Sequence, residues 1–183
     1  MNKKILVLLG SPRKNGNTAL MVEAFCKGAK EKGHEVTVLD TTAMHLDGCR
    51  HCNSCWKKGR ACSCEDDYVQ ISSKLESSDV LIMAAPMYWG QFPSYLKAAV
   101  DKLYAYLMPW REAAPAVKEI GVITCGDMED ESAFDEIVPW YRGVAKFFGW
   151  TDIGYVGIPK LVESGDVKKT DGLECAYQMG KIL

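Results

Sequence analysis

Residues Lys4-Ile5-Leu6-Val7-Leu8-Leu9 run directly into Gly10-Ser11-Pro12-Arg13-Lys14-Asn15-Gly16-Asn17-Thr18. The first six form an apolar run of the length and branching of a fully buried strand. From Ala19 to Lys32 the apolar residues fall at helical spacing. The order strand, polar glycine-containing loop, helix puts the loop at the carboxyl end of a strand and at a helix N-terminus. Free backbone N–H groups and the helix dipole favour an anion there. Ser11, Asn15, Asn17 and Thr18 add hydroxyl and amide donors, and Arg13 adds a forked cation that suits phosphate. A plain helix start capped by Asn17 or Thr18 explains the same residues without a ligand.

Two common phosphate loops are excluded. A Walker A loop needs Lys and then Ser or Thr after its last Gly, whereas Asn17 follows Gly16. The dinucleotide fingerprint G-x-G-x-x-G is absent. What remains is a monophosphate cradle. The GSPRKNGNT loop resembles that of the NADPH-dependent FMN reductase family of flavodoxin-like flavoproteins. The resemblance implies that this loop holds the phosphate of flavin mononucleotide (FMN).

Farther along, Gly33 ends the first helix and Glu35–Asp40 reads as a second strand. Thr41 to Glu65 reads as an irregular cysteine-rich loop, long for a compact domain. Asp66 or Asp67 caps a helix with Tyr68, Ile71 and Leu75 inward. Val80–Ala85 is apolar on both faces and reads as a central third strand. Ser94 opens a helix with Leu96, Ala99, Val100, Leu103 and Leu107 on one face. Residues 108–117 form a connector, and Lys118–Ile123 a fourth strand. A helix carrying Phe134, Ile137, Val138, Tyr141, Val144, Ala145 and Phe148 contains Pro139, which kinks or restarts it. Ile153–Ile158 is the fifth strand, and Ser164 or Asp166 caps a final, weakly amphipathic helix. The expectation is one α/β domain over 1–183, a doubly wound, flavodoxin-like parallel sheet of order 2-1-3-4-5. Its ligand crevice lies at the switch point, where the loops after strands one, three and four meet.

The loop after strand three, Pro86-Met87-Tyr88-Trp89-Gly90, sets two large aromatics at the end of the central strand. Exposed aromatics beside Gly and Pro suit a flat apolar ring such as isoalloxazine, or packing under another loop or subunit. The run PMYWGQFPSYLKAAVDKL resembles the second flavin loop of the same family, with Lys97 and Asp101 in the helix behind it. Thr124 to Asp127, with Thr124 and Gly126 as the contacts, is the expected third loop, and Cys125 there reads equally as a small apolar residue.

Cys49, Cys52, Cys55 and Cys62 follow the spacing C-x2-C-x2-C-x6-C. Three cysteines in seven residues suit an iron–sulfur cluster closed by a fourth from farther along, although the ferredoxin ending x3-C-P is missing. Cys64 is an alternative fourth ligand. A zinc site would show two separated C-x2-C pairs, and free thiols in an exposed loop account for the spacing without a metal. His51 reads as a solvated loop residue, and His34 and His45 show no ligand spacing. The motif resembles the iron–sulfur flavoprotein branch of the family, which implies a 4Fe-4S cluster on Cys49, Cys52, Cys55 and Cys62. Gly59, Cys62, Asp66 and Asp67 also resemble flavin reductases of the family that carry such cysteines without a demonstrated cluster.

With 183 residues, 48% hydrophobic and 25% charged, the chain suits a single globular core. A net charge of −2 gives no footprint for nucleic acid. Val80 to Trp89, the longest near-apolar run, falls well short of the roughly 20 residues of a membrane span. No secretory signal is read at the N-terminus, so eight cysteines suggest reduced thiols in a cytoplasmic protein rather than a disulfide scaffold. The resemblance implies hydride transfer from NADH or NADPH, or electrons from a ferredoxin-like donor, to FMN and on to a small-molecule or protein acceptor. It also implies a homodimer or homotetramer. No side chain is singled out as catalytic. Two other readings predict different behaviour. A non-enzymatic electron carrier would turn over negligibly with NADH or NADPH. A thiol or zinc redox sensor would not depend on flavin.

Overall fold

The computed structural model describes residues 2–108 and 114–183, so residues 109–113 of the expected connector lie outside the described residues. Five parallel strands, β1 (Lys4–Leu9), β2 (Glu35–Asp40), β3 (Val80–Pro86), β4 (Glu119–Cys125) and β5 (Thr151–Ile158), lie in the order β2-β1-β3-β4-β5. The order is the one expected from the sequence. Every residue from Val80 to Ala85 in central β3 is buried, while edge β2 buries none fully.

Strand side chains alternate between two cores, as the two-residue period of a strand demands. Leu6, Leu8, Leu81, Met83, Ile120 and Val122 face α3 (Tyr68–Leu75), α4 (Ser94–Asp101) and α5 (Ile137–Phe148). Ile5, Val7, Val80, Ile82, Ile123 and Cys125 face α1 (Asn17–Glu31) and α6 (Gly172–Lys181). Phe25 and Ile71 are fully covered, each worth about 1.5–3 kcal/mol of transfer free energy.

Several boundaries differ from the expected ones for identifiable reasons. The first helix starts at Asn17 with Gly16 as N-cap, so Asn17 and Thr18 lie in its first turn rather than capping it. Strand β4 continues through Thr124 and Cys125 because both pair with β5, so the third loop begins at Gly126. Thr41–Glu65 is not wholly irregular: it holds a 3-10 turn at Thr41–Ala43 and the short α2 (Ser54–Lys58). Pro139 sits in the first turn of α5, where its missing N–H is no loss, so it marks a restart after the 3-10 turn Glu131–Asp135. The last helix begins at Gly172. Neither Ser164 nor Asp166 caps it; the Asp166 carboxylate accepts from Glu163 N at 2.8 Å and closes the preceding turn.

Candidate functional site

At the carboxyl ends of β1, β3 and β4 lies a cleft of about 670 Å³, within the range of small-molecule sites. Its floor is the start of α1. Gly16 caps that helix with no side-chain hydrogen bond, and no acidic residue lies in the first turn. The first N–H groups of a helix have no intrahelical partner. Here the residues of that turn line the cleft, and the N-cap supplies no side-chain acceptor. Ser11, Arg13, Gly16, Asn17 and Thr18 all line it. Gly16 cannot be larger: a Cβ there would lie 2.9 Å from Arg13 Cβ. Gly10 likewise lets β1 pass Leu96, whose Cβ would be 2.9 Å from an added one.

The individual donors divide. Thr18 Oγ1 lies 3.2 Å from Cys125 Sγ, so it can accept the thiol proton and keep its own hydroxyl for a ligand. Burial pushes the Cys125 thiol up, which keeps it protonated for that role. Asn15 is exposed, adopts φ 58° and is not among the residues that line the cleft. The Asn17 carboxamide is turned away. Its Nδ2 donates to Glu163 O at 2.9 Å, and its Oδ1 accepts from Gly165 N at 2.9 Å and Val167 N at 3.2 Å. Its backbone and one remaining amide hydrogen are left for the cleft that Asn17 lines.

The opposite wall is a two-residue hairpin. Tyr88 N donates to Gln91 O at 2.7 Å and Gln91 N to Tyr88 O at 3.0 Å. Trp89 and Gly90 between them have φ of 52° and 75°, the left-handed pair that such a tight turn requires. Gly90 meets that requirement freely; an aromatic residue does so under strain. The turn presents Trp89 entirely to solvent, at 103% relative exposure, with Tyr88 at 47%. Pro86, Met87, Tyr88, Trp89 and Gly90 all line the cleft. Burial, with Tyr88 and Asp40 nearby, pushes the Tyr95 phenol up to about 12. Behind the hairpin Lys97 pairs with Asp101 and lies 5.8 Å over the Trp140 ring.

Gly126 lines the cleft, and a Cβ on it would overlap Met128 Sδ. Thr124 does not line it. Strand alternation turns its side chain to the opposite core, where it is wholly buried and its hydroxyl has no hydrogen-bond partner among the described residues. Sequence reasoning missed a fourth wall, Leu161 and Val162 after β5. Leu161 N donates to Gly126 O and Lys160 N to Met128 O, both at 2.9 Å. An apolar Leu-Val pair at the carboxyl end of the fifth strand is the signal that points to it.

The cysteines stand apart from this cleft. Cys49 and Cys52 are exposed, Cys55 is buried and Cys62 and Cys64 are half-buried. Cys64 N donates to Cys62 Sγ at 3.5 Å. Burial pushes the Cys55 and Cys64 thiols up. Among the described residues no three His, Cys, Asp or Glu side chains gather as a metal site. The loop is instead held by aromatic and polar contacts. Trp56 stacks on Tyr104 at 5.0 Å, Tyr104 Oη donates to Asn53 Oδ1 at 2.9 Å, and the His51 ring lies 4.9 Å from Tyr104. Asp66 and Lys102 form a fully buried ion pair that ties the loop's end to α4. Burial alone would raise the Asp66 carboxyl; hydrogen bonds from Lys102 and from Tyr68 N and Asp47 N hold it below the usual range.

A parallel 2-1-3-4-5 sheet with helices on both faces and a cleft at the carboxyl ends of its central strands defines a flavodoxin-like α/β fold. The sequence matches the Flavodoxin_2 family, described as flavodoxin-like fold, over residues 3–181, and the chain belongs to that family. It is 29% identical over 177 residues to an iron–sulfur flavoprotein of Archaeoglobus fulgidus, covering 93% of this chain and 76% of that protein. Other iron–sulfur flavoproteins align over about half of their length. An FMN-dependent NADH:quinone oxidoreductase of Shewanella denitrificans is 32% identical over 94 residues, 48% of each chain. The structure of an NAD(P)H:quinone oxidoreductase from Methanothermobacter marburgensis superposes with a TM-score of 0.76 at 20% identity, covering 99% of this chain and 96% of that one.

Proposed function

We propose that the protein is an FMN-dependent oxidoreductase. It passes electrons from a reduced nicotinamide, or from a ferredoxin-like donor, to a small-molecule or protein acceptor. The observation that carries this reading is the uncapped N-terminus of α1 facing the same cleft as the Trp89 hairpin. The cleft thus offers anion donors at one end and flat apolar surface at the other, which suits a phosphate joined to a planar ring. The names of the relatives support FMN as the group and a nicotinamide as a donor.

On this reading the N–H groups of the first turn, Ser11, Thr18 and Arg13 bind the phosphate. Pro86 to Gly90 and Gly126 orient the ring and exclude water from one of its faces. When bound, FMN supplies the exchange between two-electron and one-electron chemistry. The residues of the chain bind and position, and no side chain is assigned a proton transfer.

Among the described residues the loop's thiols do not gather as a metal site, so no electron step is routed through a cluster. A 4Fe-4S cluster on Cys49, Cys52, Cys55 and Cys62 rests on their spacing and on the relatives' names. Among the described residues no helix is long and apolar enough to cross a membrane, and a cytoplasmic location accords with eight free thiols. Assembly as a homodimer or homotetramer is supported by Phe147, 71% exposed beside Trp140 and Phe148 on α5.

The test is a visible spectrum with iron and sulfide assays on anaerobically purified protein, then addition of NADH or NADPH. Flavin bands bleached by a nicotinamide are expected. About four irons per chain would establish the cluster. A double Ser11→Ala, Thr18→Ala variant should lose flavin. A colourless wild-type protein that refuses added FMN would overturn the reading.

A further inference from the structure

We infer that Asn17 is a positioning residue: it pins the loop after β5 to the phosphate cradle and so fixes Arg13 over the phosphate. The inference rests on the FMN reading. Three hydrogen bonds join the Asn17 carboxamide to the backbone of Glu163, Gly165 and Val167, at 2.9, 2.9 and 3.2 Å. Its oxygen has both lone pairs engaged and its nitrogen one of two hydrogens. Asn17 is 7% exposed, so these bonds have little competition from water.

The pinned loop acts back on the cradle. Arg13 is exposed, and its Nη1 donates to Val162 O at 2.9 Å, one residue before the Asn17 contacts begin. A guanidinium carries five donors in a rigid fork. With one committed to Val162, one arm of the fork is anchored and the remaining N–H groups stay available to the cleft that Arg13 lines. On its other side the loop is fixed by the Lys160 and Leu161 N–H groups to Met128 and Gly126. Val162 thus sits between two anchors. Releasing Asn17 frees one anchor and with it the carbonyl that orients Arg13.

The test is a double-mutant cycle on Asn17→Ala and Arg13→Ala, with FMN and riboflavin as paired probes, so that only the phosphate differs. Losing one charge-assisted bond to the phosphate predicts about a tenfold fall in FMN affinity for either single variant. The double variant should fall no more than about threefold below Arg13→Ala alone, because coupled residues do not add. Riboflavin affinity should stay within about threefold throughout. Amide exchange at Gly165 and Val167, read without flavin, should quicken in Asn17→Ala and not in Arg13→Ala. Additive losses would make Asn17 a direct phosphate ligand and overturn the inference, as would an equal loss of riboflavin or unchanged exchange at both amides. A wild-type chain that binds no FMN would overturn the functional reading and the Arg13 step together, while the exchange measurement would still decide whether Asn17 pins the loop.

Discussion

Replacing Lys102 by Met should destabilise the fold more than most single substitutions. Lys102 and Asp66 both have side chains 1% exposed, and they face each other as an ion pair. Asp66 also accepts from Asp47 N and Tyr68 N, both at 3.1 Å, and Lys102 Nζ lies 5.3 Å from the centre of the Tyr68 ring. The pair therefore joins the cysteine loop, the start of α3 and the end of α4. Methionine fills the space of the lysine stem but leaves a buried carboxylate with two backbone donors and no cation. Breaking a buried pair from one side costs about 3–5 kcal/mol. At roughly 2–4 °C per kcal/mol for a chain of this size, the thermal midpoint should fall by about 6–20 °C. Changing Asp66→Asn together with Lys102→Met removes both charges and should recover most of the loss. The pH dependence has a definite sign. The folded carboxyl is held below its unfolded value, so its contribution is present above about pH 4 and is lost as pH falls through the folded value. The gap between wild type and Lys102→Met should therefore hold from pH 7 down to about pH 4 and narrow only below it. Urea denaturation at pH 7 and at about pH 3 reads both effects. A single variant within about 1 kcal/mol of wild type, or a double variant no better than the single, would refute the reasoning.

Trp89→Gly should leave the unfolding midpoint unchanged or raise stability by about 1 kcal/mol, because it relieves a left-handed aromatic residue that is fully exposed. The same variant should weaken FMN binding in a fluorescence titration; unchanged affinity would remove Trp89 from the site. Gly180→Ala should cost about 2–3 kcal/mol in urea denaturation and leave flavin affinity alone, since an added Cβ would overlap Phe25 O where α6 crosses α1.

The fold was legible because it is written in local pattern. Apolar runs such as Val80–Ala85 mark strands buried on both faces, and each strand–helix alternation forces a right-handed crossover. The phosphate cradle was legible for the same reason: Gly10 to Thr18 is one continuous segment. The role of Asn17 was not legible, because its partners lie 146 to 150 residues away. Residue type shows that an amide can donate and accept, and only the fold decides to whom. Thr124 was misplaced by two residues of strand length, enough to leave its side chain on the far face.

The cysteine loop shows where spacing stops being informative. C-x2-C-x2-C-x6-C fixes how far apart the thiols can be, but convergence depends on the backbone between them. Around Cys52 that backbone turns left-handed twice, at His51 (φ 50°) and Asn53 (φ 56°). Neither is glycine, so the two turns need support from outside the loop. Tyr104 supplies it, stacking on Trp56, packing against His51 and donating to Asn53. The conformation is therefore set by an aromatic residue some fifty positions downstream, with Cys49 and Cys52 left facing solvent. A metal bound here would have to be worth more than these contacts, because gathering the four thiols means re-forming the turns that Tyr104 now holds.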